Sequence, residues 1–438
     1  MKKTMVGIAA FATAGALVLA GCDSSADETS AAPTEPGASA EGQNITLWVM
    51  GGDTPAALRD YLSTEYAEAT GGTLTIEEQD WGDALSKLTT SLPDSENTPD
   101  VTEIGNTWSP TFTTVGAFSD ITDMYAELGG DSLLKSFVDV GVVDGKNYAM
   151  PYYFGSRYNF YRKDIYDAAG VSVPTTLQEF SDVTKQLTTS DQSGFYLGGS
   201  DWRNGISWIF ANGGELAVKG DDGMWASTLS DPNSIKGLEM LQDLYTNSSH
   251  APVGEFDSTP WVNINDNEST GKPEAATIIA PGWAHWSIGD LSENEAGDPI
   301  NVWNDEKNGV FVLPGVDGGV APVFAGGSNI AISAASKNQE GARELMKIIF
   351  SPEYQQMLGE NGLGPANLDY ADSLGDDQFA EALRTSAASS KLTPAAPGWA
   401  AVEGSGLLEE FFGKVNGGGD IAALAAEYDE KISALLNG

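Results

Sequence analysis

An α/β fold in two lobes is what this chain predicts, and three observations carry the prediction. Removal of residues 1–21, which read as a leader, leaves 417 residues, too many for one typical core and comfortable for two. Between Ile45 and Ile104 short apolar runs alternate with helical periodicity, the pattern of a parallel sheet covered by helices. After Tyr158 a second α/β alternation begins. Hydrophobic residues at 41% and aromatic residues at 9% exclude whole-chain disorder.

The first strand is residues 45–50, followed by the turn Gly51-Gly52-Asp53-Thr54-Pro55. Leu58, Tyr61, Leu62, Tyr66 and Ala69 recur at helical spacing, and Gly71-Gly72 ends that helix. Leu74 and Ile76 alternate with polar residues as a second strand. Ala84, Leu85, Leu88 and Leu92 mark a helix stopped by Pro93, and residues 101–104 form a third strand. Ligands of such sheets lie beyond the carboxyl ends of the strands, here Met50 to Asp53, Gln79 to Trp81 and Gly105 to Trp108. Residues 158–164 alternate as a strand, with helices near 177–187 and 235–245. Residues 277–279 and 310–313 are buried-type strands, followed by Ala280-Pro281-Gly282-Trp283 and Pro314-Gly315 respectively. The chain closes with helices at 339–350, from Ser351-Pro352, and after the glycines 417–419. The last presents Ile421, Leu424, Tyr428, Ile432 and Leu435 on one side.

Lys2 and Lys3 precede an apolar run of about 15 residues, too short to span a bilayer as a helix. Small residues then lead to Cys22, the only cysteine. Charged start, apolar middle and small-residue end make a secretory signal. Leu19-Ala20-Gly21-Cys22 resembles the lipobox of bacterial lipoproteins, which implies acylation of the Cys22 thiol. The other reading is a secreted protein with an incidental free thiol. Residues 22–43 have almost no large apolar side chain and are expected to be a disordered tether. Without Lys2 and Lys3 the mature chain carries 20 basic and 63 acidic residues, a net charge of −43. That surface repels nucleic acid and anionic headgroups, so no nucleic-acid partner is expected and membrane contact is expected through the anchor alone.

Most catalytic chemistry has no foothold. The two histidines, His250 and His285, make no zinc motif, and no nucleophile elbow, phosphate loop or dinucleotide fingerprint is present. Asn263, Asn265, Asn267 and Glu274 have the oxygen spacing of a calcium loop but lack its first aspartate and its glycine, so they read as a polar loop. No metal, cofactor or catalytic residue is expected. A glycoside hydrolase needs only two carboxylates and stays open as the alternative, as does a binder of a peptide or polyamine. What the chain offers is a set of tryptophans, most of them beside Gly, Asp, Asn or Ser: Trp81, Trp108, Trp202, Trp208, Trp261, Trp283, Trp286 and Trp399. Flat rings beside amides and carboxylates suit a pyranose, which has an apolar face and a ring of hydroxyls. Each ring could equally fill core.

PDVTEIGNTWSPTFTTVGAFSDIT at 99–122, YAMPYYFGSRYNFYRKDIYDAAGV at 148–171, TIIAPGW at 277–283, PVFAGGSNIAIS at 322–333 and Pro397-Gly398-Trp399 resemble, in order and spacing, the extracellular sugar-binding proteins of ABC transporters, the family that includes maltose-binding protein. The resemblance implies a periplasmic-binding-protein-like fold, with three interlobe crossings and a ligand cleft between the lobes. It puts the crossings near 155–158, 313–315 and 360–367. Lobe 1 is then 44–156 with 314–362, and lobe 2 is 157–313 with 363–438. It implies ligand contacts at Met50, Gly51, Asp53, Trp81, Asn106, Thr107, Trp108, Trp202, Trp283, Gly327, Ser328, Asn329 and Trp399. Ser156 and Arg157 fall at the first crossing, where Arg157 is either a ligand contact or a hinge ion pair, and Arg203 is a further candidate. The implied role is a lipid-anchored monomer on the outer face of a bacterial membrane. It would capture a neutral di- or oligosaccharide and pass it to the permease of an ABC importer. EIGNT and PVFAGGSN look most like relatives that take amino-sugar or galactose-containing sugars.

Overall fold

The computed structural model describes residues 39–256, 259–294 and 297–437. The leader, Cys22 and residues 22–38 of the expected tether lie outside the described residues.

Strands β1 (Ile45–Met50), β2 (Leu74–Gln79) and β3 (Val101–Gly105) pair in parallel around β1. They belong to a six-stranded sheet continued by Gly327–Ile332, Ala149–Phe154 and Gly364–Pro365. Parallel pairing requires crossover helices, and the sequence supplies them. Helix α1 (Ala56–Thr70) buries Leu58, Leu62, Tyr66 and Thr70, one residue per turn. It stops at Gly71, whose φ of 68° is open to glycine at little cost and whose N–H closes on the Ala67 carbonyl. Helix α2 (Trp81–Ser91) starts where the Asp80 carboxylate accepts from the Gly82 N–H. Ile45, Leu47 and Val49 pack with Ile330, Ile332, Leu345 and Ile349 in one core.

The second sheet has Arg157–Arg162 in the middle, with Thr277–Pro281 and Asn308–Phe311 antiparallel on either side. Against it lies a separate core around Trp202, Trp208, Phe411, Phe412 and Tyr428. Helices Trp202–Ala211 and Pro232–Ser248 approach closely there because residue 237 is glycine; a Cβ would sit 2.5 Å from the Trp208 carbonyl oxygen. The C-terminal helix Ile421–Leu436 buries Ile421, Ala425, Tyr428, Ile432 and Leu436, and Leu424 and Leu435 pack at the margin. The fold is thus α/β with two lobes.

Strands Ala149–Phe154 and Arg157–Arg162 lie in different sheets, so the chain passes between lobes at Gly155 and Ser156. The other two passages differ from expectation. Pro314-Gly315 is a turn within lobe 2: Gly315 donates to the Gly319 carbonyl, and Leu313, Ala321, Val323 and Phe324 all enter the second core. The passage falls instead at 325–327. Gly364–Pro365 still pairs with Ala149–Phe154, and residues 368–374 pack on the helix Pro352–Glu360. The third passage therefore lies at 375–378, ahead of the helix Gln378–Ala388 that packs on the second sheet. A Pro-Gly break reads the same in sequence whether it turns a chain within a lobe or carries it to the next.

Candidate functional site

Strand register brings the site together. Met50 lies opposite Gln79, Gly105 opposite Ser328, and Gly327 opposite Phe154, so the carboxyl ends of β1, β2 and β3 share an edge with the first crossing. In the second sheet Pro281 lies opposite Arg157, and the Gly282 N–H donates to the Ser156 carbonyl at 2.9 Å. Segments 51–54, 80–81, 106–109, 155–157 and 282–287 therefore converge where the two sheets meet. At the same junction the lobes touch directly, as Thr111 Oγ1 donates to the Pro397 carbonyl at 2.8 Å.

On the lobe 1 side, Trp81 and Trp108 are half-buried and meet edge to face, 5.6 Å between centroids. The Trp81 Nε1–H donates to Asp53 Oδ2 at 3.0 Å, and the Tyr153 hydroxyl reaches the same oxygen at 3.2 Å. Asp53 is otherwise exposed, and its carboxyl is held above the usual range by partial burial. Gly51, at φ 55°, lets the Trp81 ring lie against the backbone; a Cβ there would stand 2.9 Å from Trp81 Cδ1. Beneath them Glu103 is fully buried. Its carboxylate accepts from the Met50 N–H at 2.8 Å and the Tyr153 hydroxyl at 2.7 Å, and burial pushes its carboxyl up to about 7.

On the lobe 2 side, Trp283 is 47% exposed and packs edge to face on the buried Trp261, 4.7 Å between centroids. Trp286, also exposed, lies against Gly362 of lobe 1.

The remaining sequence candidates divide. Met50 is core, its side chain among Ala84, Leu88, Ile104 and Phe112. Asn106 and Thr107 are buried, and Asn106 donates to the Ala325 carbonyl across the second passage. Gly327 is half-buried, but Ser328 and Asn329 are fully buried on a central strand; the Ser328 hydroxyl donates to the Tyr153 hydroxyl oxygen at 3.4 Å, and Asn329 Nδ2 donates to the Phe137 carbonyl. Arg157 is buried, its Nε–H on Asn204 Oδ1 at 2.8 Å, Nη1–H on the Phe324 carbonyl at 3.1 Å, and its guanidinium 4.7 Å over the Phe324 ring. Burial brings its pKa down to about 10, and the buried Asp201 nearby opposes this. Arg157 is thus a strut joining the first and second passages. Trp202 and Trp399 are fully buried and meet each other edge to face, 6.3 Å between centroids. Arg203 stacks on Trp202 and pairs with Glu403.

Sequence reasoning overlooked Glu103 and Tyr153. The signal was there: Glu103 is the one carboxylate in the apolar strand Val101–Gly105. Asn263, Asn265 and Asn267 serve the loop itself, as Asn265 bridges the Ser287 carbonyl and the Gly289 N–H. Among the described residues no group of three His, Cys, Asp or Glu could hold a metal, and no helix is long and apolar enough to cross a membrane.

The profile of the family described as bacterial extracellular solute-binding protein matches residues 62–385. The chain is 33% identical over 411 residues to the diacetylchitobiose binding protein DasA of Streptomyces coelicolor, covering 92% of this chain and 91% of that one. The sugar-binding protein MalE of Xanthomonas citri superposes with a TM-score of 0.74 at 20% identity, over 90% of this chain and 97% of the other. A cyclo/maltodextrin-binding protein complexed with maltotetraose gives 0.71 at 19% identity, over 92% and 98%.

Proposed function

The chain belongs to the bacterial extracellular solute-binding proteins, and from that premise we propose that it captures a neutral di- or oligosaccharide, foremost an N-acetylated amino-sugar disaccharide, for an ABC importer. One observation carries the reading. The Trp81–Trp108 pair lies beside the exposed Asp53 at the strand ends, and Trp283 and Trp286 stand open at the margin of the facing lobe. The indole faces would stack on the C–H face of a pyranose, and the free side of Asp53 would accept from its hydroxyl or amide groups. The likeness to a diacetylchitobiose binder supports the choice of sugar. Relatives are binding proteins, which gives the hydrolase alternative no support.

Residues 39–154 with 328–374 form one lobe of this proposal, and 157–324 with 378–437 the other, so that hinge motion at the three passages would close the cleft. Cys22 would carry the lipid, and residues 23–38 would hold a monomeric body beside its permease, since Gln43 already belongs to the lobe, accepting from the Tyr66 hydroxyl at 3.0 Å and from the Gly341 N–H at 2.8 Å. Calorimetric titration with diacetylchitobiose, a galactose-containing disaccharide and maltotetraose tests the reading. Saturable binding of the first is expected. Failure to bind any mono- to tetrasaccharide would overturn it.

A further inference from the structure

Tyr153 has one hydroxyl proton and two carboxylates to serve. Its oxygen lies 2.7 Å from Glu103 Oε1 and 3.2 Å from Asp53 Oδ2, and the Ser328 hydroxyl donates to it from 3.4 Å. Glu103 is sealed from solvent with its other oxygen fixed on the Met50 N–H, while Asp53 opens toward the cleft and holds the edge of Trp81. We propose that Glu103 is a positioning residue for the cleft: through the Tyr153 hydroxyl, its protonation decides whether Asp53 is held by two donors or by one.

The two arrangements follow from counting donors. With Glu103 protonated, its own O–H donates to the Tyr153 oxygen, and the Tyr153 proton is free to serve Asp53. Asp53 then accepts from both Trp81 and Tyr153, and the indole and carboxylate are locked together. With Glu103 ionised, it claims the Tyr153 proton, Asp53 keeps Trp81 alone, and a second negative charge stands behind it. Burial favours the protonated arrangement up to about neutral pH. Other charges are placed to tune this pair. Arg59, ion-paired with Glu78 at 2.9 Å, favours ionised Asp53 and Glu78 opposes it. The Ser328 hydroxyl is a second side-chain donor beside Glu103 and favours its ionised form without carrying charge. The remaining titratable groups around Glu103 are the buried phenols Tyr152 and Tyr354, bonded to each other at 2.7 Å and kept neutral by burial well beyond physiological pH.

This deepens the sugar reading and rests on it for its binding consequence, so the test has an arm without ligand. In the full chain, the Trp81 indole N–H resonance, assigned with Trp81→Phe, is followed from pH 5 to 9. A step near pH 7 is expected in the wild type and is expected to vanish in Glu103→Gln, whose amide can donate to Tyr153 and accept from Met50 at every pH. Tyr153→Phe, which cuts the link and leaves Glu103, should lose the step too. In the second arm, affinity for diacetylchitobiose should weaken about five-fold between pH 6 and pH 8 in the wild type, the equivalent of one net hydrogen bond. In Glu103→Gln it should stay within about two-fold of the pH 6 value. If the sugar fails to bind, the functional reading falls while the resonance still decides the coupling. A Trp81 step that survives Glu103→Gln unchanged, or is absent from the wild type, overturns the proposal.

Discussion

Replacing Glu103 by glutamine should change the pH dependence of stability in one direction and one window. The folded protein raises this carboxyl from 4.5 to about 7, chiefly by desolvation, with Asp53 adding in the same direction. A raised acid means that the native state keeps a proton that the unfolded chain releases. Unfolding free energy therefore falls as pH climbs from about 4.5 to about 7 and levels off above. The shift corresponds to about 3 kcal/mol over that span. In Glu103→Gln the amide cannot ionise, so this loss is absent. The variant should gain on the wild type steadily between pH 5 and pH 7.5, approaching about 3 kcal/mol, and hold the gain beyond. Urea unfolding followed by tryptophan fluorescence at half-unit intervals gives the difference, and subtracting variant from wild type cancels the other 62 acidic residues to first order. A difference that is constant from pH 5 to pH 8 would refute the assignment of a buried, neutral Glu103.

The exposed and buried tryptophans should separate by assay. Trp283→Ala should leave the melting temperature nearly unchanged and weaken sugar binding by about 1–3 kcal/mol, read by calorimetry. Trp399→Ala removes a fully buried ring and should lower stability by about 3–5 kcal/mol, seen as an early denaturant midpoint. Arg157→Met should leave Asn204 Oδ1 and the Phe324 carbonyl without their donor, and a lowered denaturant midpoint at undiminished sugar affinity would mark Arg157 as a strut. Cys22→Ser should move the protein from the membrane fraction to the culture medium without altering ligand affinity.

The aromatic inventory was legible and its sorting was not. Trp202, Trp283 and Trp399 all sit beside small or polar residues, yet two are core and one is open. Trp202 opens the helix Trp202–Ala211 right after its Asp201 cap, and Trp399 opens the helix Trp399–Gly404 just after the Thr111–Pro397 contact; both rings are buried against each other. Trp283 follows a strand that ends opposite Arg157, beside the first crossing, and it stays 47% exposed. Likewise, Ser328 and Asn329 looked like a polar loop, but their antiparallel pairing with β3 commits them to the sheet.

What the sequence by itself determined is the local order. Periodicity of the apolar residues placed the strands and helices, Gly71 and Asp80 set the helix ends, and the composition set an acidic, two-lobed α/β chain. These are properties of neighbours along the chain, and spacing records them. Only the tertiary structure decided which breaks are passages between lobes, which rings are solvent-facing, and that Glu103, Tyr153, Asp53 and Trp81 form one hydrogen-bonded set. Those four residues come from four separate segments, and strand register alone brings them together. Register is fixed by the burial of both sheet faces at once, and no window of sequence contains that sum.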